Sequence, residues 1–553
     1  MISLPQGQQA AVPPLHDDPL HGIGRQGAWL VASSLLPGLY SVLLVAYMLH
    51  TLGPEQYAPW AALVAVLGWL TFLDAGLMQT TVRGAARAIA GEREAIDGVL
   101  TGYAAYAVLG VLAGLLGGLL ALAVPVVLSL RGPTAVEAVL VGALLAVDLA
   151  VVTATAGWVA TMRGARRFDV MLRVNAVQVA VALAIAVPLV PTFGLIGAAI
   201  AQPTGRICAR LLLSVLLRRQ LSWFRARPGR PALASLRALW GFSLPIMAIQ
   251  FASQLGIGTD LIIVGATSGA TALGLFAAGS QFVRFAALFL LPATGVVLPA
   301  FSATAYLRPH LIGPLVARSQ FLLSVTGAVI FGLIALEAAT LVPLWSGQAA
   351  ELSVTVTVIY AVTYVFLTPV HTLGLMLIAT GRQGPLAVLM LAEAAVNLCL
   401  SLVLVQTLGP LGVALSTLIV ASTNRVLFVP LLTGRQLRVP VWGIIGASAA
   451  GLLLGAAIVL LVQVVAIVGV AGTVVRAGLA AMALMATLWL GLRLTRPGKR
   501  WRCRFARPRS ELGRPRTGSV RRAIAWSVNR TRLPWLRPCR PPEHGSWPPA
   551  HGL

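Results

Sequence analysis

The chain has 553 residues, of which 58% are hydrophobic and 10% charged, and its mean hydropathy is +0.87. An ordinary soluble domain has about 45–50% apolar and about 25% charged residues, so this composition excludes a soluble globular protein. The net charge of +25 would suit a nucleic-acid partner, but 16 of the 41 basic residues lie between Arg493 and Arg540. We therefore expect no nucleic-acid partner and interpret the charge as membrane topology plus a basic tail.

Apolar stretches of about 20 residues recur along the chain, and each is long enough to cross a hydrocarbon layer of about 30 Å as a helix. Helices satisfy their own backbone hydrogen bonds in lipid, so the pattern predicts an all-α polytopic membrane protein with about 14 transmembrane helices. The first 24 residues lack the basic and apolar regions of a cleavable signal peptide, so we expect the first span to act as an internal signal. The predicted spans are 28–50, 58–80, 99–129, 138–161, 174–191, 194–217, 240–266, 272–299, 320–344, 354–379, 386–407, 411–431, 441–465 and 474–492.

The distribution of arginines predicts how these spans are oriented. Nearly all loop arginines lie in alternate loops, and the opposite loops carry only Arg131 and Arg476. By the positive-inside rule, the N-terminus and the C-terminal tail are expected in the cytoplasm. The tail is rich in Arg and Pro and is expected to be disordered. It could contact anionic lipid or could be solvated without a specific role.

Two similar segments indicate an internal repeat. Segments 164–201 and 381–416 both run from a glycine loop through an Asn-bearing span to Gly-x-x-Gly-x-Ala, at offsets of 217 and then 215 residues. We expect two six-helix bundles in parallel orientation, followed by two extra helices. The predicted organisation is an N-terminal cytoplasmic segment 1–27, a first bundle 28–217, a basic linker 218–239, a second bundle 240–431, two additional helices 441–492 and a tail 493–553.

Three motifs resemble a known family. Segment 52–93 contains a Leu-Gly-Pro-Glu-x-Tyr loop and then Leu-Asp-Ala-Gly-Leu before an arginine, and it resembles the N-terminal signature of polysaccharide repeat-unit (O-antigen or exopolysaccharide) flippases. These belong to the multidrug/oligosaccharidyl-lipid/polysaccharide (MOP) superfamily. Segment 242–265, FSLPIMAIQFASQLGIGTDLIIVG, is similar to the family's seventh span, and LGLFAAGSQFVRF is similar to its eighth. The matching residues of the first motif are Leu52, Gly53, Pro54, Glu55, Tyr57, Leu73, Asp74, Gly76, Leu77 and Arg83.

The resemblance implies a fold and a function. The fold would be a V-shaped pair of six-helix bundles around a central cavity that opens alternately to each side. The substrates would be undecaprenyl-diphosphate-linked oligosaccharides, moved across the bacterial inner membrane for capsule, exopolysaccharide or O-antigen synthesis. The family implies no cofactor and a monomer, associated with other polysaccharide-assembly proteins.

Arginines inside the predicted spans are the candidate substrate contacts. A guanidinium donates two parallel hydrogen bonds to phosphate oxygens and stays charged at physiological pH, so it suits a lipid diphosphate. Arg284 lies mid-span, too deep to reach the interface, and either faces a cavity or pairs with Asp260. Arg206, Arg210 and Arg425 lie nearer the cytoplasmic ends and could instead anchor at the interface.

Acids and amides in the spans complete the set of candidates. A buried carboxyl group can carry a proton for coupling, or it can pair with an arginine within the bundle. Amide side chains suit a sugar-facing lining, although hydrogen bonding between helices explains them equally well. The candidates for pairing or coupling are Asp74, Asp148, Asp260, Glu337 and Glu393, and the amides with a candidate cavity role are Gln254 and Gln281.

Two alternative functions remain open. An ion-coupled multidrug exporter of the same superfamily would use membrane-embedded acids to bind cations and protons. A membrane glycosyltransferase, polymerase or ligase acting on lipid-linked sugars would need catalytic residues in large external loops, whereas the external loops here are short. No phosphate-cradling glycine loop, nucleophile motif or metal-ligand spacing appears, and the four cysteines are scattered. We therefore expect neither enzymatic activity nor a bound metal or other cofactor.

Overall fold

The computed structural model describes residues 23–221, 223–224, 233–294, 301, 311–465, 467 and 469–494. Regular structure in these residues is helical, with no strand. The helices are α1 (Ile23–Gly68), α2 (Ala75–Ile89), α3 (Arg93–Ala121), α4 (Val124–Val127), α5 (Pro133–Ala154), α6 (Ala156–Gly164), α7 (Phe168–Gln220), α8 (Leu233–Thr294), α9 (Ile312–Leu336), α10 (Ala338–Ser346), α11 (Glu351–Ala379), α12 (Gln383–Leu408), α13 (Pro410–Thr423), α14 (Val429–Leu437), α15 (Val441–Val462) and α16 (Gly469–Leu494). The predicted all-α class is confirmed.

Several predicted boundaries differ from the observed ones. A 3₁₀ turn at Trp69–Asp74 interrupts the second predicted span, and a π turn at Asn424–Phe428 interrupts the twelfth. α8 already begins at Leu233, inside the predicted linker, and α16 begins at Gly469 rather than at 474. Most of the predicted N-terminal segment, linker residues 225–232 and the tail beyond 494 lie outside the described residues.

Glycine turns divide the longest helices into hairpins. The backbone leaves the helical conformation at Gly53 in α1, Gly194 in α7 and Gly269 in α8, each with positive φ. A methyl group added at Gly197 would lie 2.5 Å from the carbonyl carbon of Leu189, eight positions earlier, although eight residues of straight helix span about 12 Å. The chain therefore folds back on itself at Gly194.

The turns match in pairs between the two halves of the sequence. Gly194 and Gly409 have φ/ψ of 58°/−136° and 57°/−142°, and Gly53 and Gly269 have 78°/171° and 84°/178°. The pairs are separated by 215 (409 − 194) and 216 (269 − 53) residues, as a repeat predicts. A repeat that extends over each entire half stays a prediction.

Eleven helices among the described residues are long and apolar enough to cross a membrane. Three of them, 32–71, 168–220 and 244–291, contain the turns at Gly53, Gly194 and Gly269 and exceed the length of a single span. If each of these three is counted as two spans, the total equals the predicted number. That number stays a prediction, whereas the multi-pass membrane architecture is established.

Buried apolar side chains of the described residues form one large cluster and four smaller ones, two of which lie beside the polar cavities. The large cluster draws on both halves and surrounds the glycine turns, from Tyr40 to Val413–Ala414. A second cluster, which contains Tyr103 and Leu217, and a third, which contains Leu373 and Met390, each draw on one half near the arginine-rich ends. We call the end with the glycine turns the external end, because the arginine distribution predicts that it faces away from the cytoplasm.

Candidate functional site

A cavity of about 180 Å³ lies within the first half of the chain, which comprises α1–α7. Three arginines and two amides line it, and no acid is among the described residues that do so, so the lining carries net positive charge. We call it the first-half cavity. Its lining residues are Pro37, Val159, Arg163, Met171, Val174, Asn175, Gln178, Arg206, Arg210 and Leu213.

An acid on a neighbouring helix holds Arg206. Its Nε donates to Oδ1 of Asp148 on α5 at 2.6 Å, and Nε2 of Gln202 donates to the other carboxylate oxygen at 3.0 Å. The Asp148 side chain is 7% exposed and that of Arg206 is 20% exposed. The guanidinium of Arg206 is therefore held against a carboxylate within the helix bundle.

Arg210 lies one helical turn after Arg206 and is bound differently. Its Nε is buried, and no hydrogen bond or ion pair to Arg210 is found among the described residues. Burying an unpaired cationic group in a membrane protein is costly unless water or a ligand meets it. Among the described residues, Arg206 thus donates to Asp148, whereas Nε of Arg210 has no acceptor.

A second cavity of about 150 Å³ lies within the second half, α8–α14. Its ionisable lining side chains other than tyrosine are two arginines and two acids, so its charges balance. We call it the second-half cavity. Its lining residues are Ala252, Ser253, Gly256, Asp260, Arg284, Tyr360, Thr363, Tyr364, Leu367, Met390, Glu393, Ala394, Asn397, Thr417, Ala421 and Arg425.

Arg284 and Asp260 are linked through a tyrosine. The Tyr360 hydroxyl donates to Oδ2 of Asp260 at 2.6 Å, and Nη2 of Arg284 donates to the Tyr360 oxygen at 3.3 Å. The guanidinium carbon lies 5.1 Å from the centre of the Tyr360 ring, within range of a cation–π contact. Thr417 donates a further hydrogen bond to Asp260 at 2.9 Å. The expected alternatives for Arg284, a cavity role and pairing with Asp260, are thus combined in one network.

Arg425 pairs with an acid on the adjacent helix. Its Nη2 donates to Glu393 at 3.3 Å, and the Asn424 amide donates to the same carboxylate. Both arginine and acid are mostly buried, with side chains 17% and 15% exposed. Because Asn424 and Arg425 lie in the π turn, its wider backbone ring turns both side chains toward Glu393. Arg425 therefore forms a mostly buried ion pair within the second half of the chain.

Glu337 is paired outside both cavities. Arg476 on α16 donates to its two carboxylate oxygens at 2.6 and 2.9 Å, and Thr473 adds a hydrogen bond at 2.6 Å. Arg476 also donates to the backbone carbonyls of Val465 and Ile467. Arg476, which the charge distribution assigned to an external loop, lies within α16. Together these bonds attach the last two helices to α9.

The remaining candidates lie outside the two cavity linings. Gln281 accepts a hydrogen bond from Tyr57 at 2.9 Å, and Gln254 donates to Thr71 at 3.2 Å. Both bonds join the first half of the chain to the second. Asp74 ends the 3₁₀ turn, but its side chain lies outside the described residues.

Sequence reasoning missed several site residues. Arg163 was counted as a loop arginine, yet it lines the first-half cavity from the end of α6. Tyr360 and Thr417 have no charge to mark them, although a tyrosine in the middle of an apolar span is a signal for a buried hydrogen bond. Of the four candidate arginines, Arg206 and Arg210 line the first-half cavity, and Arg284 and Arg425 line the second-half cavity.

Comparison with solved structures identifies the class of protein that has this fold, which is that of MOP superfamily transporters. An inward-facing multidrug resistance MATE family transporter of that superfamily matches 72% of this chain and 94% of its own, with a TM-score of 0.62 and 16% identity. The lipid II flippase MurJ, in an inward closed conformation, matches 84% of this chain and 99% of its own, with a TM-score of 0.61 and 11% identity. A MOP superfamily transporter from Pyrococcus furiosus Vc1 (DSM3638), described as having a binding pocket of reverse polarity, matches 75% and 95%, with a TM-score of 0.60 and 16% identity.

A match to a sequence family gives a narrower assignment than the fold comparison does. A family model described as polysaccharide biosynthesis protein matches residues 23–305, which is 283 of 553 residues. The chain therefore belongs to the polysaccharide biosynthesis protein family, a family of membrane flippases, and the resemblance seen in its motifs is confirmed. A search among curated proteins finds no significant match to the sequence.

Proposed function

We propose that this protein is a flippase that moves undecaprenyl-diphosphate-linked oligosaccharide repeat units across the bacterial inner membrane by alternating access. The product would serve capsule, exopolysaccharide or O-antigen synthesis, and both termini would lie in the cytoplasm. The observation that carries the proposal is the pair of arginine-lined cavities inside apolar helices of a polysaccharide biosynthesis protein. The protein would act as a monomer alongside other polysaccharide-assembly proteins.

The physical task explains why arginines are needed. A diphosphate and a sugar chain must cross hydrocarbon, while the polyprenyl tail can remain in it. Placing an arginine at the centre of a span costs about 2.5–3.5 kcal/mol on insertion scales, so an arginine at the depth of Arg284 indicates a functional role. Arg206, Arg210, Arg284 and Arg425 would bind the diphosphate or pass it along, and cavity amides would bind sugar hydroxyls.

An ion-coupled multidrug exporter is the second candidate, and the charge balance of the second-half cavity favours it. Asp260 and Glu393 could exchange protons or cations there. The arginine excess of the first-half cavity instead favours an anionic substrate. Catalysis is not part of the proposal, because the family and the structural relatives are transporters and flippases.

Complementation of a flippase-null strain tests the proposal. Arg284→Lys, Arg284→Gln and Arg284→Ala would each be expressed with protein level measured, and surface polysaccharide would be quantified. We expect export to fall in the order Lys, Gln, Ala at equal protein level. Arg435→Gln removes one exposed arginine outside the spans and serves as the charge-matched control.

The outcomes separate the candidate functions. Normal export with all three Arg284 variants would refute a substrate role for that residue. Loss of the protein in Arg284→Ala, restored by adding Asp260→Ala, would assign the residue to structure alone. Rescue of drug resistance but not of polysaccharide export by the wild-type chain would favour the multidrug exporter.

A further inference from the structure

We propose that the first-half cavity is a binding site for a phosphoryl anion, in which Arg210 meets the ligand directly and Asp148 is a built-in counter-ion that holds Arg206 until the ligand arrives. As a site for the substrate's diphosphate, this inference rests on the proposed function. Binding of a phosphoryl anion in the cavity does not depend on it.

Arg210 is the strongest evidence for a missing anion. Its Nε is buried without a hydrogen-bond partner among the described residues, whereas Arg206, Arg284, Arg425 and Arg476 all donate to protein groups. A buried N–H group without an acceptor is unfavourable, and this one belongs to a cationic side chain. An oxyanion in the cavity would accept from Arg210 and supply the missing negative charge.

The internal repeat gives a reason why Nε of Arg210 has no hydrogen-bond partner among the described residues. Arg425 follows Arg210 by 215 residues, and Glu393 follows Gln178 by 215, the same separation as Gly194 and Gly409. In the second half, Arg425 pairs with Glu393. At the corresponding place in the first half stands a neutral amide, and both Gln178 and Arg210 line the cavity. Among the described lining residues, the acid that pairs with Arg425 therefore has a neutral amide as its counterpart beside Arg210.

The cavity offers space and further donors. A buried water needs about 10–15 Å³ of comparable space, so a volume of about 180 Å³ can hold a phosphoryl group with water around it. Arg163 and Gln178, from other helices, also line the cavity and place a further positive charge and an amide there. The buried hydroxyl of Tyr40, one turn after the lining residue Pro37, also finds no hydrogen-bond partner among the described residues.

Asp148 would allow a ligand anion to bind and leave, because its carboxylate can take the ligand's place at Arg206. Its carboxylate is buried and bound by Arg206 at 2.6 Å and Gln202 at 3.0 Å, so it neutralises one arginine while the cavity is empty. A ligand anion competes with this carboxylate for Arg206. Removing the carboxylate charge should therefore strengthen anion binding, whereas removing the charge of Arg210 should weaken it. These opposite signs separate a binding role from a merely structural one.

Titration of the purified full-length protein in detergent tests the site. Sodium diphosphate, sodium phosphate and sodium glucuronate would be added at equal ionic strength, with the midpoint of thermal unfolding as the readout, since a ligand of the folded state raises it. The variants are Arg210→Gln, Arg210→Lys and Asp148→Asn, and Arg435→Gln, exposed near the same membrane surface, is the charge-matched control.

We expect diphosphate to raise the midpoint of the wild type. Arg210→Gln should weaken its apparent affinity about 10- to 100-fold, the range expected for hydrogen bonds to a charged group. Arg210→Lys should lie between Gln and the wild type, Asp148→Asn should bind more tightly, and Arg435→Gln should match the wild type. If Arg210→Gln does not fold, the Lys and Asn variants decide the outcome alone.

Several results would overturn the proposal. One is that diphosphate raises the thermal midpoint of the wild type no more than ionic strength alone does. Another is that the Arg210 and Arg435 variants bind diphosphate with equal affinity. A third is that Asp148→Asn binds diphosphate no more tightly than the wild type. Glucuronate binding as tightly as diphosphate would refute phosphoryl recognition. In nanodiscs of phosphatidylcholine, competition by a polyprenyl diphosphate or by phosphatidylglycerol distinguishes a substrate from a headgroup. Export by a chain that binds no diphosphate would refute this site and leave the proposed function standing.

Discussion

Substitution of Gly274 by Ala should loosen the external contact between the halves. Gly274, on α8, packs against the backbone of Pro54, and an added methyl group would lie 2.5 Å from the Pro54 carbonyl carbon and closer still to its oxygen. Ordinary contact begins at 3.4 Å, so the two backbones must separate by at least 0.9 Å (3.4 − 2.5). Overpacking of this kind costs about 1–3 kcal/mol.

That cost falls on the state in which the external end is closed. If alternating access separates this contact, a penalty of about 1–3 kcal/mol shifts the equilibrium toward the externally open state by about 5- to 150-fold. Ala278 lies one turn after Gly274 on the same helix face and is 1% exposed, so Ala278→Cys in a cysteine-free background is a suitable reporter. We expect its modification by an impermeant maleimide, added outside the cell, to accelerate accordingly.

The matched control is Gly98→Ala on α3, where an added methyl group meets nothing within 4 Å. It should leave the labelling rate unchanged. An unchanged rate in Gly274→Ala, at normal protein level, would refute the argument that this contact closes the external end. Equal acceleration in both variants would attribute the effect to general loosening.

The remaining predictions concern the buried polar pairs. Asp148→Asn should lower the midpoint of thermal unfolding in detergent, because breaking a buried ion pair costs about 3–5 kcal/mol. Adding Arg206→Gln should recover part of this loss. If it recovers nothing, the two residues are not energetically coupled. Arg476→Gln should lower the midpoint too, and Glu337→Gln should partly restore it, since the double variant buries no lone carboxylate; a double variant less stable than both singles would contradict this. Tyr360→Phe removes the hydroxyl that joins two charged groups, so we expect a loss of about 1.5–3 kcal/mol in unfolding free energy, and an unchanged midpoint would count against the network.

The fold could be predicted from the sequence because lipid imposes the same constraint on every span, which must be apolar and helical. Apolar stretches and alternating arginines are sufficient to predict a helical membrane protein, and short motifs identified the family. Boundaries were less accurate where the helix changes type, as at the π turn around Arg425, because such local changes depend on tertiary contacts.

The site was only partly predictable, because depth in the membrane can be counted along a helix while rotation about its axis cannot. Counting residues placed Arg284 mid-span but could not reveal that Tyr360 links it to Asp260. The bond between Glu337 and Arg476 joins residues 139 positions apart, and no local pattern marks it.

The hairpin turns also bear on how the chain enters the membrane. At Gly194 the two arms of α7 are joined by so tight a turn that the second arm, which carries Arg206 and Arg210, cannot insert far from the first. An arginine-bearing segment inserts poorly by itself, at about 2.5–3.5 kcal/mol per arginine at the helix centre. The apolar first arm can offset that cost if both arms leave the translocon together. Biogenesis of this protein would then proceed by helical pairs, with the glycine turn as the element that delivers the charged arm into the bilayer.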